Sequence, residues 1–308
     1  MSVPKYRDQV RLLLDVLPEV AAEDCFALHG GTAINLFVRA MPRLSVDLDL
    51  TYLPIEGRAE TLANIAEALR RTQARIKSRF PSVRVTENVD RSKLLCERQG
   101  VQVKVEVNKT MRGSLGDPAL LPLNERTQEA IERFAEMRVI PIGQLYGGKI
   151  CAALDRQHPR DLFDVRHMLQ SQGFSGEIRR GFLLCLLSSD RPMHEIIQPT
   201  LLDQRSTLES HFAGMSEEPF SYAEFEETRR DLIGRINADL DQTDRRFLVS
   251  FKEGTPMWLE YGFGDFEQFP ALQWKLQNIR KLRATNPTKH GDQLKALKER
   301  LNQTSDTD

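Results

Sequence analysis

Val101, Val103, Val105 and Val107 alternate with Gln102, Lys104 and Glu106, and no other stretch of the chain has so clear a period of two. Successive side chains of a strand point to opposite faces, so this segment is a β-strand with one apolar face to cover and one charged face left open. Residues 94–98 precede it, and Gln99-Gly100 between the two segments predicts a hairpin turn. Residues 46–52, Val-Asp-Leu-Asp-Leu-Thr-Tyr, repeat the alternation, which turns Asp47 and Asp49 the same way.

Other elements follow from the same reasoning. Val10, Leu13, Leu14 and Leu17 recur at helical spacing and predict an amphipathic helix over residues 5–17. Phe26-Ala27-Leu28 reads as a short buried strand broken by Gly30-Gly31. Thr32 then stands where it could cap a helix carrying Ile34, Leu36 and Phe37, which Pro42 ends. A charged helix is predicted over 58–79, stopped by Pro81, with strand character resuming over 83–86. After Pro118 the apolar pattern turns helical, and 145–154, 178–187 and 225–240 read as helices. Only 246–251 returns to strand-like alternation. These patterns place a boundary near residue 140, between a core over 1–140 and a helical part over 141–300. The polar end, 301–308, is expected to be disordered.

A chain of 308 residues, 40% hydrophobic and 28% charged, is long enough for two packed domains and is not the composition of a disordered protein. A net charge of -1 excludes a surface that is a polyanion trap as a whole, although Lys275, Arg280, Lys281, Arg283, Lys289, Lys295 and Lys298 make the C-terminal part locally basic. That stretch is either a solvated helix face or an RNA backbone contact. Tyr261, Phe263, Phe266 and Phe269 are, in the same way, either core or base-stacking groups. No apolar run reaches bilayer length and the N-terminus is too polar for a signal peptide, so no membrane is expected and the expected location is cytoplasmic. Cys25, Cys96, Cys151 and Cys185 have no metal-ligand spacing and read as small core residues, and neither His29 nor His158 reads as a metal ligand.

Two carboxylates two apart on one strand can converge on a hard cation, so Asp47 and Asp49 are candidate Mg²⁺ ligands, with Mn²⁺ as the alternative. Glu106, on the polar face of its own strand, is the candidate third. The ordinary alternative for Asp-Leu-Asp is the solvated face of an edge strand. Gly30-Gly31-Thr32 supplies bare backbone N–H groups at a helix start, where a triphosphate is favoured, although such turns also occur for conformational reasons alone. Lys149 is a candidate mobile cation for a β- or γ-phosphate, against a solvated helix lysine. Asp161 and Asp164 stand three apart on a helix that Pro159 starts. One of them could serve as a general base or orient Lys149, while the helix dipole by itself explains Asp161. Arg43 and Arg160 are candidates for clamping phosphate or for pairing with a carboxylate.

Gly30-Gly31-Thr32, Arg43-Leu44-Ser45-Val46-Asp47-Leu48-Asp49, the isolated Lys149 and the run Arg156-x-x-x-Arg160-Asp161-x-x-Asp164 occur in one order. Together they resemble the motifs of the AbiEii/AbiGii (MenT-like) toxin family, a branch of the DNA polymerase beta-type nucleotidyltransferases. The resemblance spans about residues 26–165. It implies an α+β fold, a mixed-sheet nucleotidyltransferase core followed by a mainly helical C-terminal part that contributes Lys149 and Asp164. It further implies triphosphate binding by Gly30, Gly31, Thr32 and Ser45, and metal binding by Asp47, Asp49 and Glu106. The implied activity is transfer of a nucleotide from an NTP to an RNA end, in MenT-like members the tRNA 3′ end, which blocks translation. A toxin–antitoxin or phage-defence setting follows, with a separately encoded antitoxin that is often a winged-helix, AbiEi-like protein.

Two rival readings remain at this level. The acceptor could be a protein or a small molecule. Alternatively the chain could bind nucleotide without chemistry and act through protein contacts, although a retained set of three acidic positions argues for catalysis.

Overall fold

The computed structural model describes residues 3–302; residues 303–308, most of the segment expected to be disordered, lie outside the described residues. The chain divides into two compact units, one of Met1–Pro141 with His211–Pro219, the other of Ile142–Ser210 with Phe220–Asp308.

The first unit is built on a mixed sheet of seven strands among the described residues: β1 (Phe26–His29), β2 (Asp47–Tyr52), β3 (Arg84–Asn88), β4 (Lys93–Arg98), β5 (Val101–Asn108), β6 (Ala119–Pro122) and β7 (Glu136–Val139). Their order is β3-β4-β5-β2-β1-β7-β6. β2 and β5 run parallel, as do β1 and β7, and the remaining neighbours are antiparallel. Helices α1 (Val3–Ala21) and α3 (Arg58–Arg79) pack on the sheet. Leu13, Leu14 and Leu17 of α1 are buried with Leu48 and Leu50 of β2 and Val103, Val105 and Val107 of β5. The apolar half of each alternating strand is thereby covered, as the periodicity requires. Gln99 and Gly100 both have positive φ, 53° and 78°, and close the β4–β5 hairpin in the left-handed region that a two-residue turn needs.

Three sequence expectations change here. Thr32 does not cap a helix: a helical turn, α2 (Gly30–Thr32), starts two residues earlier with His29 at its N-cap and runs on into a π-helix (Ala33–Val38). The left-handed freedom of Gly30, φ 75°, lets the chain leave β1 and enter the helix without a linker. Pro42 is not the stop, because Arg39 already has extended backbone. The stretch after Pro118 is not purely helical. It forms β6 and β7 around α4 (Glu125–Ile131), strands of four residues each, too short to show a period.

The second unit is helical: α5 (Ile142–Arg156), α6 (Pro159–Ser171), α7 (Gly176–Ser188), α8 (Met193–Ile197), α9 (Arg205–Thr207), α10 (Tyr222–Asp239), α11 (Gln242–Glu253), α12 (Pro270–Thr285) and α13 (Pro287–Asn302). α5 and α7 meet backbone to backbone. A Cβ on Gly143, Gly147 or Gly181 would sit inside the main chain of the facing helix, so only glycine fits at this crossing. Residues 246–251, expected as a strand, lie inside α11. An Asp241–Asp244 capping box starts that helix and Gly254, φ 87°, ends it. The 258–269 aromatics are core: Trp258, Phe263, Phe266 and Phe269 are buried, and Phe263 stacks on Phe247 with centroids 4.2 Å apart. Much of the basic stretch closes helix ends and loops. Arg280 and Arg283 donate to the carbonyls of Gly254 and Glu253, and Lys275 to those of Asp190 and Arg191. Among the described residues no helix is long and apolar enough to cross a membrane.

Candidate active site

Strand register places the charged side chains of the first unit in one row. His29 on β1 lies opposite Asp49 on β2, Asp49 opposite Glu106 on β5, and Glu106 opposite Lys93 on β4. Asp47 lies opposite Lys104 one pleat along. Directly opposed residues share a face, and adjacent strands are about 4.8 Å apart, so Asp47, Asp49 and Glu106 occupy a single patch on the face opposite Leu48, Leu50 and Val105.

The Gly-Gly turn is fitted to this patch atom by atom. A Cβ on Gly30 would stand 2.6 Å from Asp49 Oδ2, and one on Gly31 would stand 2.7 Å from a terminal nitrogen of Arg43 and 3.0 Å from Ser45 Oγ. Thr32, fully buried, donates its hydroxyl to the carbonyl of Asp47 and accepts from Ser45 Oγ at 2.9 Å. Asn35 donates to the Gly31 carbonyl at 2.9 Å. Arg43, 4% exposed, lies behind the turn with Nη1 donating to the Leu44 carbonyl. The loop ahead of β2 is held by residues 215 and 216: Leu44 N donates to the Met215 carbonyl at 2.7 Å, and Ser216 Oγ to the Pro42 carbonyl at 2.9 Å. Turn and acidic strand therefore move as one piece.

Two of the three carboxylates are engaged by lysines. Lys104 Nζ is 3.4 Å from Asp47 Oδ1, and Lys93 Nζ donates to Glu106 Oε2 at 3.3 Å. Among the described residues no group of three or more His, Cys, Asp or Glu side chains is drawn together closely enough to hold a metal ion. In kind the donors suit a hard divalent cation: oxygen ligands only, on one sheet face, with Asp49 Oδ2 packed into the place that a side chain on Gly30 would take. Lys93 was not singled out from the sequence. Its signal lay in the hairpin, because a two-residue turn at Gln99-Gly100 pairs Arg98 with Val101 and, five steps along, Lys93 with Glu106.

Lys149, Asp161 and Asp164 belong to the second unit, where they meet. Lys149 Nζ is 2.9 Å from Asp161 Oδ1 and 3.0 Å from Asp164 Oδ2, and Arg156 reaches Asp161 Oδ2 at 2.8 Å. Lys149 is 7% exposed and Asp164 1%, so this lysine is neither mobile nor solvated as the sequence suggested; it is a buried tie between α5 and α6. Pro159 is at the start of α6 with His158 as N-cap, its Nδ1 accepting from Arg160 N at 3.1 Å. Arg160 is partly buried in the first turn of that helix.

The fold has a counterpart among solved structures. The fold is similar to that of MenT4, a nucleotidyltransferase toxin of Mycobacterium tuberculosis H37Rv, with a TM-score of 0.55 and 16% identity over 79% of this chain and 87% of that one. No curated protein gives a significant match. The family model described as nucleotidyl transferase AbiEii toxin, type IV toxin–antitoxin system, matches residues 11–278, and the chain belongs to this family. It is thus a nucleotidyltransferase toxin of the type IV class, a class defined by an antitoxin partner.

Proposed function

We propose that the chain transfers a nucleoside monophosphate from an NTP to the 3′ end of an RNA, with tRNA as the acceptor, and so blocks translation in the cytoplasm. The observation that carries this reading is the interlock of Gly30 with Asp49. It packs the backbone of the turn directly against an acidic strand inside the sheet, with no room for a methyl group between Gly30 and Asp49 Oδ2, and a solvated edge strand has no use for such a fit.

The backbone of Gly30 and Gly31, with Ser45, receives the triphosphate. Thr32 and Arg43 hold the turn from behind, because the Thr32 hydroxyl is already engaged with Ser45 and Asp47. Asp47 and Asp49 hold a divalent cation, Mg²⁺ or Mn²⁺, and Glu106 completes the set. When bound there, such a cation would supply positive charge to the phosphates of the NTP. In the transfer the acceptor hydroxyl oxygen bonds to the α-phosphorus and the bond to the α–β bridging oxygen breaks. Pyrophosphate leaves, and the hydroxyl proton passes to a carboxylate of the same face. Lys149, Asp164, Asp161 and Arg160 of the second unit are required for activity, with Asp161 and Asp164 orienting Lys149. The antitoxin is a winged-helix, AbiEi-like protein, and the pair acts in phage defence.

The acceptor is tested by incubating the protein with α-labelled NTP and cell extract, then treating the product with RNase or protease. Label removed by RNase supports the RNA acceptor. Label removed only by protease, or found only in small molecules, overturns it.

A further inference from the structure

Asp47, Glu106 and Asp49 would repel one another on one face, yet the structure shows them compensated in a particular way. Each of the outer two is matched by a lysine directly across the ladder, Asp47 by Lys104 at 3.4 Å and Glu106 by Lys93 at 3.3 Å. Asp49, between them, has no lysine opposite. Its cross-strand neighbours are His29 and Glu106, and its Oδ2 packs against Gly30. The ammonium groups thus lie against the carboxylates that must turn to a cation. Both pairs are partly exposed, at side-chain exposures of 46% and 31% for Lys104 and Asp47, and 20% and 49% for Lys93 and Glu106. Contacts of this kind are weak enough to exchange.

We propose that Lys104 and Lys93 are exchangeable counter-ions of the acidic patch: they hold Asp47 and Glu106 in the ligand-free protein, and a divalent cation displaces them onto the nucleotide's phosphates. The inference rests on the reading of Asp47, Asp49 and Glu106 as cation ligands, and it adds positioning residues that no family motif contains. The exchange is electrostatically balanced. A cation that takes the two carboxylates leaves two ammonium groups unmatched on the same face, and a triphosphate supplies the charge they lack. Cation and nucleotide binding are then coupled through these lysines: each lysine opposes the cation when it binds alone and favours the nucleotide once the cation is in place.

The test is titration of the full chain with Mn²⁺, followed by the electron paramagnetic resonance signal of the free ion. Titrations are run without nucleotide and then at saturating Mn²⁺ with a non-hydrolysable α,β-methylene NTP. Wild type is compared with Lys104→Gln, Lys93→Gln and Asp49→Asn, and thermal melts confirm that each variant is folded. The expected result is that each lysine variant binds Mn²⁺ alone about two- to fivefold more tightly than wild type. Each should also bind the nucleotide analogue more weakly at saturating Mn²⁺. Unchanged or weaker Mn²⁺ binding in both lysine variants, with Asp49→Asn losing the ion, overturns the counter-ion role and leaves the cation-site reading standing. Mn²⁺ binding that Asp49→Asn does not alter, or no Mn²⁺ binding by any variant, overturns the cation-site reading and this inference with it. Removing any nearby ammonium eases cation binding, so the loss of nucleotide affinity at saturating Mn²⁺ is the arm that separates lysines that move to phosphate from fixed ones, and unchanged nucleotide binding there overturns the displacement.

Discussion

Asp49 Oδ2 lies 2.6 Å from the point where a Cβ on Gly30 would stand, so the turn that follows β1 and the acidic strand β2 exclude any larger residue between them. Gly30 also has φ 75°, a conformation that costs an L-residue about 1–2 kcal/mol. Gly30→Ala is therefore expected to push the Asp49 carboxylate aside and cut nucleotidyl transfer by about a hundredfold or more, because misplacement by an ångström is costly in catalysis. Steady-state transfer assays beside a thermal melt check this. A folded Gly30→Ala protein of full activity would show that the fit has no part in the chemistry.

Thr32 ties the same turn to β2 through Ser45 and the carbonyl of Asp47. Thr32→Val keeps the volume and removes the hydroxyl, leaving buried partners unmatched at a cost of about 1–3 kcal/mol. Urea unfolding should show a lower midpoint with an unchanged slope. An unchanged midpoint would mean that these hydrogen bonds do not hold the turn.

The sequence showed much of this site, for a physical reason. Asp47, Asp49, Lys104 and Glu106 lie on strands long enough to display a period of two, so their common face could be read before any pairing was known. The helix predicted over 58–79 matches α3, since a charged 22-residue segment ending ahead of Pro81 leaves little choice. What failed was either short or non-local. β6 and β7 have four residues apiece, below the length at which alternation differs from chance. Residues 246–251 alternate by accident, and the stronger signals were the Asp241–Asp244 box and Gly254 that bound α11. The burial of Lys149 depends on two carboxylates of the next helix, and no pattern within α5 announces it.

Lys149 between Asp161 and Asp164 is the centre of a buried ion cluster, to which Arg156 adds a second cation on Asp161. Lys149→Met is expected to destabilise the protein by about 3–5 kcal/mol, because it breaks the buried ion pair with Asp164, while Asp161 keeps Arg156. Denaturant unfolding measures this, and a transfer assay well below the transition separates the roles. Loss of activity in the folded fraction assigns Lys149 to the chemistry as well; full activity there would confine it to the fold.

Lys252 on α11 offers a pH test of the second unit. Its ammonium is buried, donates to Gln293 Oε1 at 2.7 Å, and is pushed down from 10.5 to about 8 by burial and then by the nearby charge of Lys275. Between about pH 8 and 10.5 the unfolded chain therefore binds more protons here than the folded one, and this residue's contribution to stability rises with pH across that window. Below pH 8 both states are protonated and the full cost of the buried charge is present. Lys252→Met should accordingly melt at a higher temperature than wild type at neutral pH, with the gap narrowing from pH 8 to 10.5. A gap independent of pH, or a variant less stable at neutral pH, would contradict the assignment.

The central claim is that the patch of Asp47 and Asp49 beside Gly30-Gly31 carries out nucleotidyl transfer. The most direct measurement incubates wild type and Asp49→Asn with total tRNA, a divalent cation and each NTP labelled either at the α- or at the γ-phosphate. Wild type is expected to place α-label, and no γ-label, on the RNA 3′ end with release of pyrophosphate, and Asp49→Asn to place none while remaining folded. Transfer of γ-label, or transfer of α-label by Asp49→Asn at the wild-type rate, would contradict it.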